Sequence, residues 1–163
     1  MPELLIVWWS RTGASEQLSV AAEAGARTGE DLRVKRLRCD CTEPEHLTSA
    51  SAYLFVCPEN LGSMAGMMKE FFDRCYYPVL GSVSGRPYGH IVSAGSDGQG
   101  AVRQLARIAT GWRLNLVSPP LVVNLSVQSA EDILAPKDVA EPELHRAFEL
   151  GALMGQGLSL GIM

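Results

Sequence analysis

No stretch of the sequence approaches the roughly 20 consecutive apolar residues that a bilayer-spanning helix requires, so membrane insertion is not expected. A strong charge of either sign is missing as well. Fourteen Lys and Arg stand against 18 Asp and Glu, for a net charge of −4. A partner gripped by phosphate neutralisation calls for a basic excess, so no nucleic acid is expected. The deficit is also too small to mark an acidic docking surface. Charged residues are scarce at 20% and apolar ones reach 47%, the composition of a chain that buries a core. Internal repeats and low-complexity linkers are absent, so residues 1–163 are read as a single domain.

A basic leader and a small-residue cleavage site are lacking too. The first residues enter an apolar run, residues 4–9, that reads as a strand and not a signal peptide. A cytoplasmic location is the expectation, with Cys39, Cys41, Cys57 and Cys75 kept as thiols. Cys39 and Cys41 with His46 suggest a metal site, but the spacing fits no common zinc pattern. Structural thiols are the simpler reading, and no metal is expected.

What is present is an alternation of short apolar runs and amphipathic stretches. Residues 4–9 and 53–57 are continuous apolar runs of the kind buried on both faces of a sheet. Residues 32–37 alternate apolar and basic side chains, which suits an edge strand with a charged solvent side. The spacing of Leu18, Ala21, Ala22 and Gly25 predicts a helix that begins near Glu16 and stops near Gly29. Met64, Met67, Met68, Phe71, Phe72 and Cys75 recur at helical spacing opposite Lys69, Glu70, Asp73 and Arg74. Residues 88–94 form a further strand, and Val102, Leu105, Ala106 and Ala109 mark the next helix. Residues 114–117 and 121–125 supply a last strand divided by Ser118, Pro119 and Pro120. Leu144, Ala147, Phe148, Gly151 and Ala152 belong to a terminal helix. Strands alternating with helices imply a doubly wound parallel sheet covered on both faces. Ligands of such sheets sit beyond the carboxyl ends of the strands.

Three polar, glycine-bearing loops fall there. Ser10-Arg11-Thr12-Gly13-Ala14-Ser15 opens a helix, so its amides, hydroxyls and helix dipole converge on one point, a phosphate cradle. Helix capping by Thr12 or Ser15 is the plainer alternative. The loop has neither a Walker spacing nor Gly-x-Gly-x-x-Gly, so it suits a monophosphate better than a pyrophosphate. In Pro58-Glu59-Asn60-Leu61-Gly62-Ser63-Met64-Ala65-Gly66, Pro58 reads as the end of a strand, and Gly62 and Gly66 allow close approach to a planar ligand. A plain connection with Ser63 as N-cap reads equally from this segment alone. Ser93-Ala94-Gly95-Ser96-Asp97-Gly98-Gln99-Gly100 exposes backbone to a heterocycle edge, or is simply a glycine-rich turn.

The first loop resembles the flavodoxin phosphate loop, Ser/Thr-x-Thr-Gly-x-Ser/Thr. The second and third resemble the flavin loops of flavodoxin-like NAD(P)H-dependent oxidoreductases, which include FMN reductases and quinone reductases. The likeness spans nearly the whole chain. It implies a flavodoxin-like α/β fold, a five-stranded parallel sheet of order 2-1-3-4-5 with helices on both faces. It implies FMN as cofactor, with Ser10, Thr12, Gly13, Ala14 and Ser15 at the phosphate and Arg11 either adding charge there or facing water. Pro58, Glu59, Asn60, Leu61, Gly62, Ser63 and Met64 would border the isoalloxazine. Ser93, Ala94, Gly95, Ser96, Asp97 and Gly98 would reach the pyrimidine edge or ribityl chain.

Electron-carrier flavodoxins flank the ring with aromatics from the second and third loops and are more acidic. Here those loops hold no Trp, Tyr or Phe. The resemblance therefore implies an oxidoreductase that takes a hydride from NAD(P)H and passes electrons through FMN to a small-molecule acceptor such as a quinone or flavin. A flavodoxin-type one-electron carrier is the alternative, and a cofactor-free domain on the same scaffold is a third reading. The flavin does the chemistry, so no catalytic side chain is required. Asp97 and Glu59 read as modulators of the flavin or as solvated carboxylates. Arg33, Lys35, Arg36 and Arg38 read as a charged edge or as contacts to a nicotinamide phosphate. One of Trp8 and Trp9 is expected in the core and the other nearer the site, and His90 is expected in the core. Residues 151–163 read as a dimer interface or as completion of the last helix, and a homodimer or tetramer is the candidate assembly.

Overall fold

The computed structural model describes residues 1–163. The parallel sheet has β1 (Glu3–Trp8) between the edge strand β2 (Arg33–Arg38) and β3 (Ala52–Asn60), with β5 (Pro87–Ala94) beyond β3. The last position is filled by two short strands, β6 (Asn115–Leu116) and β7 (Leu121–Asn124), both parallel to β5. This is the expected order 2-1-3-4-5, with the fifth position broken where Pro119 and Pro120 offer no amide hydrogen. A seventh strand, β4 (Ser63–Met64), folds back antiparallel on the end of β3.

Alternate residues of each strand serve opposite layers, as a pleated sheet requires. Leu4, Ile6, Leu54, Val56 and Ile91 pack under α1 (Ala14–Ala26) and α6 (Glu141–Ser159). Leu5, Val7, Tyr53, Phe55 and Val92 pack under α3 (Gly66–Val79) and α4 (Gln99–Gly111), with α2 (Pro44–Ser49) beside them. In α3 the predicted stripe buries Met68, Phe71, Phe72 and Cys75, whereas Met67 is 36% exposed. Removing each large side chain from water contributes about 2 kcal/mol. On the other layer α1 and α6 touch backbone to backbone: a Cβ on Gly151 would lie 1.9 Å from the Ala22 carbonyl oxygen. Residues 151–159 therefore complete α6 within the chain.

The edge strand keeps its charges at the surface. Arg36 pairs with Glu23 at 2.7 Å and Arg38 with Asp40 at 2.8 Å. The same guanidinium groups lie 5.2 Å from the ring centres of Trp8 and Trp9. Both tryptophans are half-buried on opposite faces of the sheet, so neither is the core residue expected. His90 is fully buried as expected, and neither ring nitrogen has a hydrogen-bond partner. Desolvation depresses its pKa to about 4. Cys39 and Cys75 are buried near the Thr42 turn, Cys57 lies within β3, and Cys41 faces solvent. No helix is long and apolar enough to cross a membrane.

Candidate functional site

A cleft of about 590 Å³ opens beyond the carboxyl ends of β1, β3 and β5, within the size range of small-molecule and cofactor sites. Parallel strands deliver the loops that follow them to one edge, which is why distant segments meet here. Arg11 and Thr12 come from the first loop, Pro58, Glu59, Asn60, Leu61 and Gly62 from the second, and Ser93, Ala94, Gly95 and Ser96 from the third. The other predicted residues do not line it: Ser10, Gly13, Ala14, Ser15, Ser63, Met64, Asp97 and Gly98.

The first loop owes its shape to Gly13, whose φ of +103° is costly for any residue with a Cβ. Its amide donates to the Ser10 hydroxyl at 3.0 Å, so Ser10 shapes the turn instead of facing the cleft. Helix α1 begins at Ala14, earlier than expected, and no side chain caps it. Neither Thr12 nor Ser15 is the cap that the sequence suggested. The first-turn amides of Ala14, Ser15 and Glu16 are thus left without an intrahelical acceptor, at the positive end of the helix dipole. The Ser15 side chain is buried and its hydroxyl lies 2.9 Å from that of Ser93. Those two hydroxyls satisfy each other, leaving backbone groups for a ligand.

The second loop departs furthest from expectation. Pro58 does not end β3. It lacks an amide hydrogen, yet its carbonyl accepts from Ala65 at 3.0 Å and the strand runs on to Asn60. Glu59 opposes Met64 and Asn60 opposes Ser63, forming a hairpin whose tip is Leu61-Gly62. Both tip residues have positive φ, +53° and +74°, as the primed turns of tight hairpins demand. Leu61 is fully exposed at the cleft rim. Ser63 caps no helix, because α3 starts at Gly66; its hydroxyl and the Met64 amide both donate to Gln104 Oε1, at 2.9 and 2.8 Å. Met64 itself is core, 2% exposed.

Glu59 is not a solvated carboxylate. Its oxygens accept from the Gly98 amide at 2.9 Å and the Ala101 amide at 3.1 Å, so it caps α4 and ties the second loop to the third. Gly98 is consumed in this brace, and Asp97 points to solvent. Gly100 closes the joint, since a Cβ there would fall 1.9 Å from the Gly62 carbonyl oxygen.

A fourth wall went unread in the sequence. Residues 125–137 cross the cleft as a strap containing α5 (Ala130–Leu134) and contribute Leu125, Val127, Gln128, Ile133, Leu134 and Lys137. One end is held where Val127 donates to the Gly95 carbonyl at 2.9 Å. The other is clamped by Gln17, whose amide nitrogen donates to the Lys137 carbonyl at 2.7 Å while its oxygen accepts from Val139 at 3.0 Å. The one local signal was Ser129-Ala130-Glu131-Asp132, a cap sequence in which the Ser129 hydroxyl accepts from the Asp132 amide at 3.1 Å. No Trp, Tyr or Phe lines any wall.

The profile of a family described as NADPH-dependent FMN reductase matches residues 44–128. That span holds the second and third loops and stops before α5. A flavodoxin from Aquifex aeolicus (strain VF5) is 30% identical over 100 residues, 61% of this chain and 52% of that protein. The matched part thus spans about half the length of that relative. Among solved structures, an archaeal flavodoxin superposes with a TM-score of 0.78 at 15% identity, covering 96% of this chain and 98% of its own. A WrbA-like flavodoxin protein from Agrobacterium tumefaciens gives 0.70 at 14% identity, with 99% of each chain covered. The fold is flavodoxin-like.

Proposed function

This chain belongs to the NADPH-dependent FMN reductase family, and we propose that it is an oxidoreductase holding FMN in the cleft, supplied with electrons by NAD(P)H. A quinone, a flavin or a similar small molecule is the acceptor. Bound FMN would supply the chemistry of accepting a hydride and releasing its electrons.

The observation that carries this reading is a donor set without acceptors. The αL turn at Gly13 presents the amides of Ala14, Ser15 and Glu16 at a helix start with no capping side chain, a ready site for a phosphate monoester. That residues 58–62 of the hairpin and residues 93–96 line one cleft supports the reading that they border a planar ring. The Glu59 brace keeps these loops at fixed separation, which preorganises the site before a ligand arrives. With no aromatic side chain on any wall, one ring face is left for a nicotinamide or acceptor to stack against. The same reading treats residues 1–163 as one domain working in the cytoplasm, where four free cysteines are stable.

The test is a spectrum of protein loaded with FMN, followed anaerobically by NADPH and, separately, NADH, then by a quinone. Loss and recovery of the yellow absorbance with turnover is the expected outcome. A second reading, a one-electron carrier, is favoured by the Aquifex aeolicus flavodoxin relative. It predicts tight FMN binding with neither nicotinamide oxidised, and that result would replace the enzyme reading.

A further inference from the structure

Lys137 reaches the phosphate loop from the far end of the sequence. Its amide donates to the Thr12 carbonyl at 2.8 Å. Its own carbonyl takes the Gln17 amide and lies 3.7 Å from where a Cβ on Gly13 would sit. The residue is therefore fixed against the turn that presents the free amides of α1. Lys137 lines the cleft with Arg11 and Thr12. The ammonium donates to the carbonyls of Ile133, at 3.0 Å, and Ala135 at the end of α5.

Those contacts place the charge without cancelling it. An ammonium has three donors, and two are engaged by neutral carbonyls, so one remains. Lys137 takes part in none of the ion pairs of the chain, and neither does Arg11. The neighbouring Asp138 is exposed and makes no ion pair with it. A half-buried cation already tethered at its tip loses little rotamer freedom when an anion arrives. A phosphate monoester carries close to two negative charges at neutral pH, whereas the rest of a flavin is neutral.

We propose that Lys137 is a specificity-determining residue whose ammonium contacts the phosphate of FMN and makes the cleft prefer FMN to riboflavin. The proposal rests on the FMN reading of the cleft. Lys137 lies outside residues 44–128, which match the family profile.

The experiment measures FMN and riboflavin affinity by flavin fluorescence for the wild type, Lys137→Gln and Lys137→Arg, each at low and high salt. Lys137→Gln is expected to lose about tenfold or more for FMN, the scale of one charged hydrogen bond. Riboflavin affinity should stay within about twofold, because its neutral ring and chain make no such contact. Lys137→Arg should keep most of the preference, and salt should weaken FMN but not riboflavin on the wild type. Equal losses for both flavins would make Lys137 a strap residue only and overturn the proposal, as would no loss for either. A wild type that binds both flavins alike also overturns it while leaving the cleft a flavin site. A wild type that binds neither refutes the FMN reading itself.

Discussion

The hydroxyls of Ser15 and Ser93 meet 2.9 Å apart inside the protein and join the first turn of α1 to the end of β5. Each is the other's side-chain partner in a place with no solvent access. Removing one strands the other, and an unsatisfied buried hydroxyl costs about 1–3 kcal/mol. Ser15→Ala is therefore expected to destabilise the protein by about that amount in urea unfolding, with the Ser15→Ala/Ser93→Ala pair costing less than the sum. FMN affinity should fall by less than stability does, since the two hydroxyls are engaged with each other. A large affinity loss with unchanged stability would contradict this arrangement.

Glu59 offers the opposite balance. Its charge is spent on two amides at the start of α4. Glu59→Ala is expected to lower stability by about 1 kcal/mol or more, the usual worth of a charged cap. It should also loosen the hairpin, seen as faster hydrogen exchange at Gly98 and Ala101. Glu59→Gln should retain part of both effects.

The joint at Gly100 is steric. Any Cβ there collides with the Gly62 carbonyl, a backbone atom that moves only if the hairpin moves. Gly100→Ala is expected to displace the Leu61-Gly62 tip and weaken FMN binding about tenfold or more, a loss near 1.4 kcal/mol. Unchanged affinity with a native melting temperature would show that the tip plays no part in binding.

His90 predicts a pH dependence. Its folded pKa, about 4, lies below the model-peptide value of 6.5, so between those values the unfolded chain binds more protons than the folded one. Stability is then fully present above pH 6.5 and falls as pH drops towards 4, by at most about 3 kcal/mol. His90→Leu should flatten that part of the urea-denaturation profile. An unchanged slope in the variant would assign the loss to other groups.

Much of the fold could be read in advance because periodicity carries it. The edge position of β2 follows from its basic alternation, and the break between β6 and β7 from Ser118, Pro119 and Pro120. The hairpin after β3 was hidden because proline usually ends a strand, and because Leu61-Gly62 lacks the Asn-Gly signature of its turn. The strap was illegible for a different reason. Helix α5 buries no residue, so it carries no apolar period, and the residues flanking it are held through their own backbone groups, by the backbone of Thr12 and Gly95 and by the Gln17 side chain, which no apolar pattern encodes. Among the cleft residues, the polar loops announced themselves by glycine content, while Lys137 and Ile133 did not.

The Gln17 clamp bears on how the protein is made. The bonds it forms, to positions 120 and 122 residues downstream, are the last link in the cleft to become available during synthesis. A nascent chain can arrange its early strands and helices on the ribosome, but the wall beside Thr12 must wait until Val139 has emerged. Cofactor capture would thereby wait on the emergence of Val139, and chains that stop before it would be poor competitors for the cell's flavin.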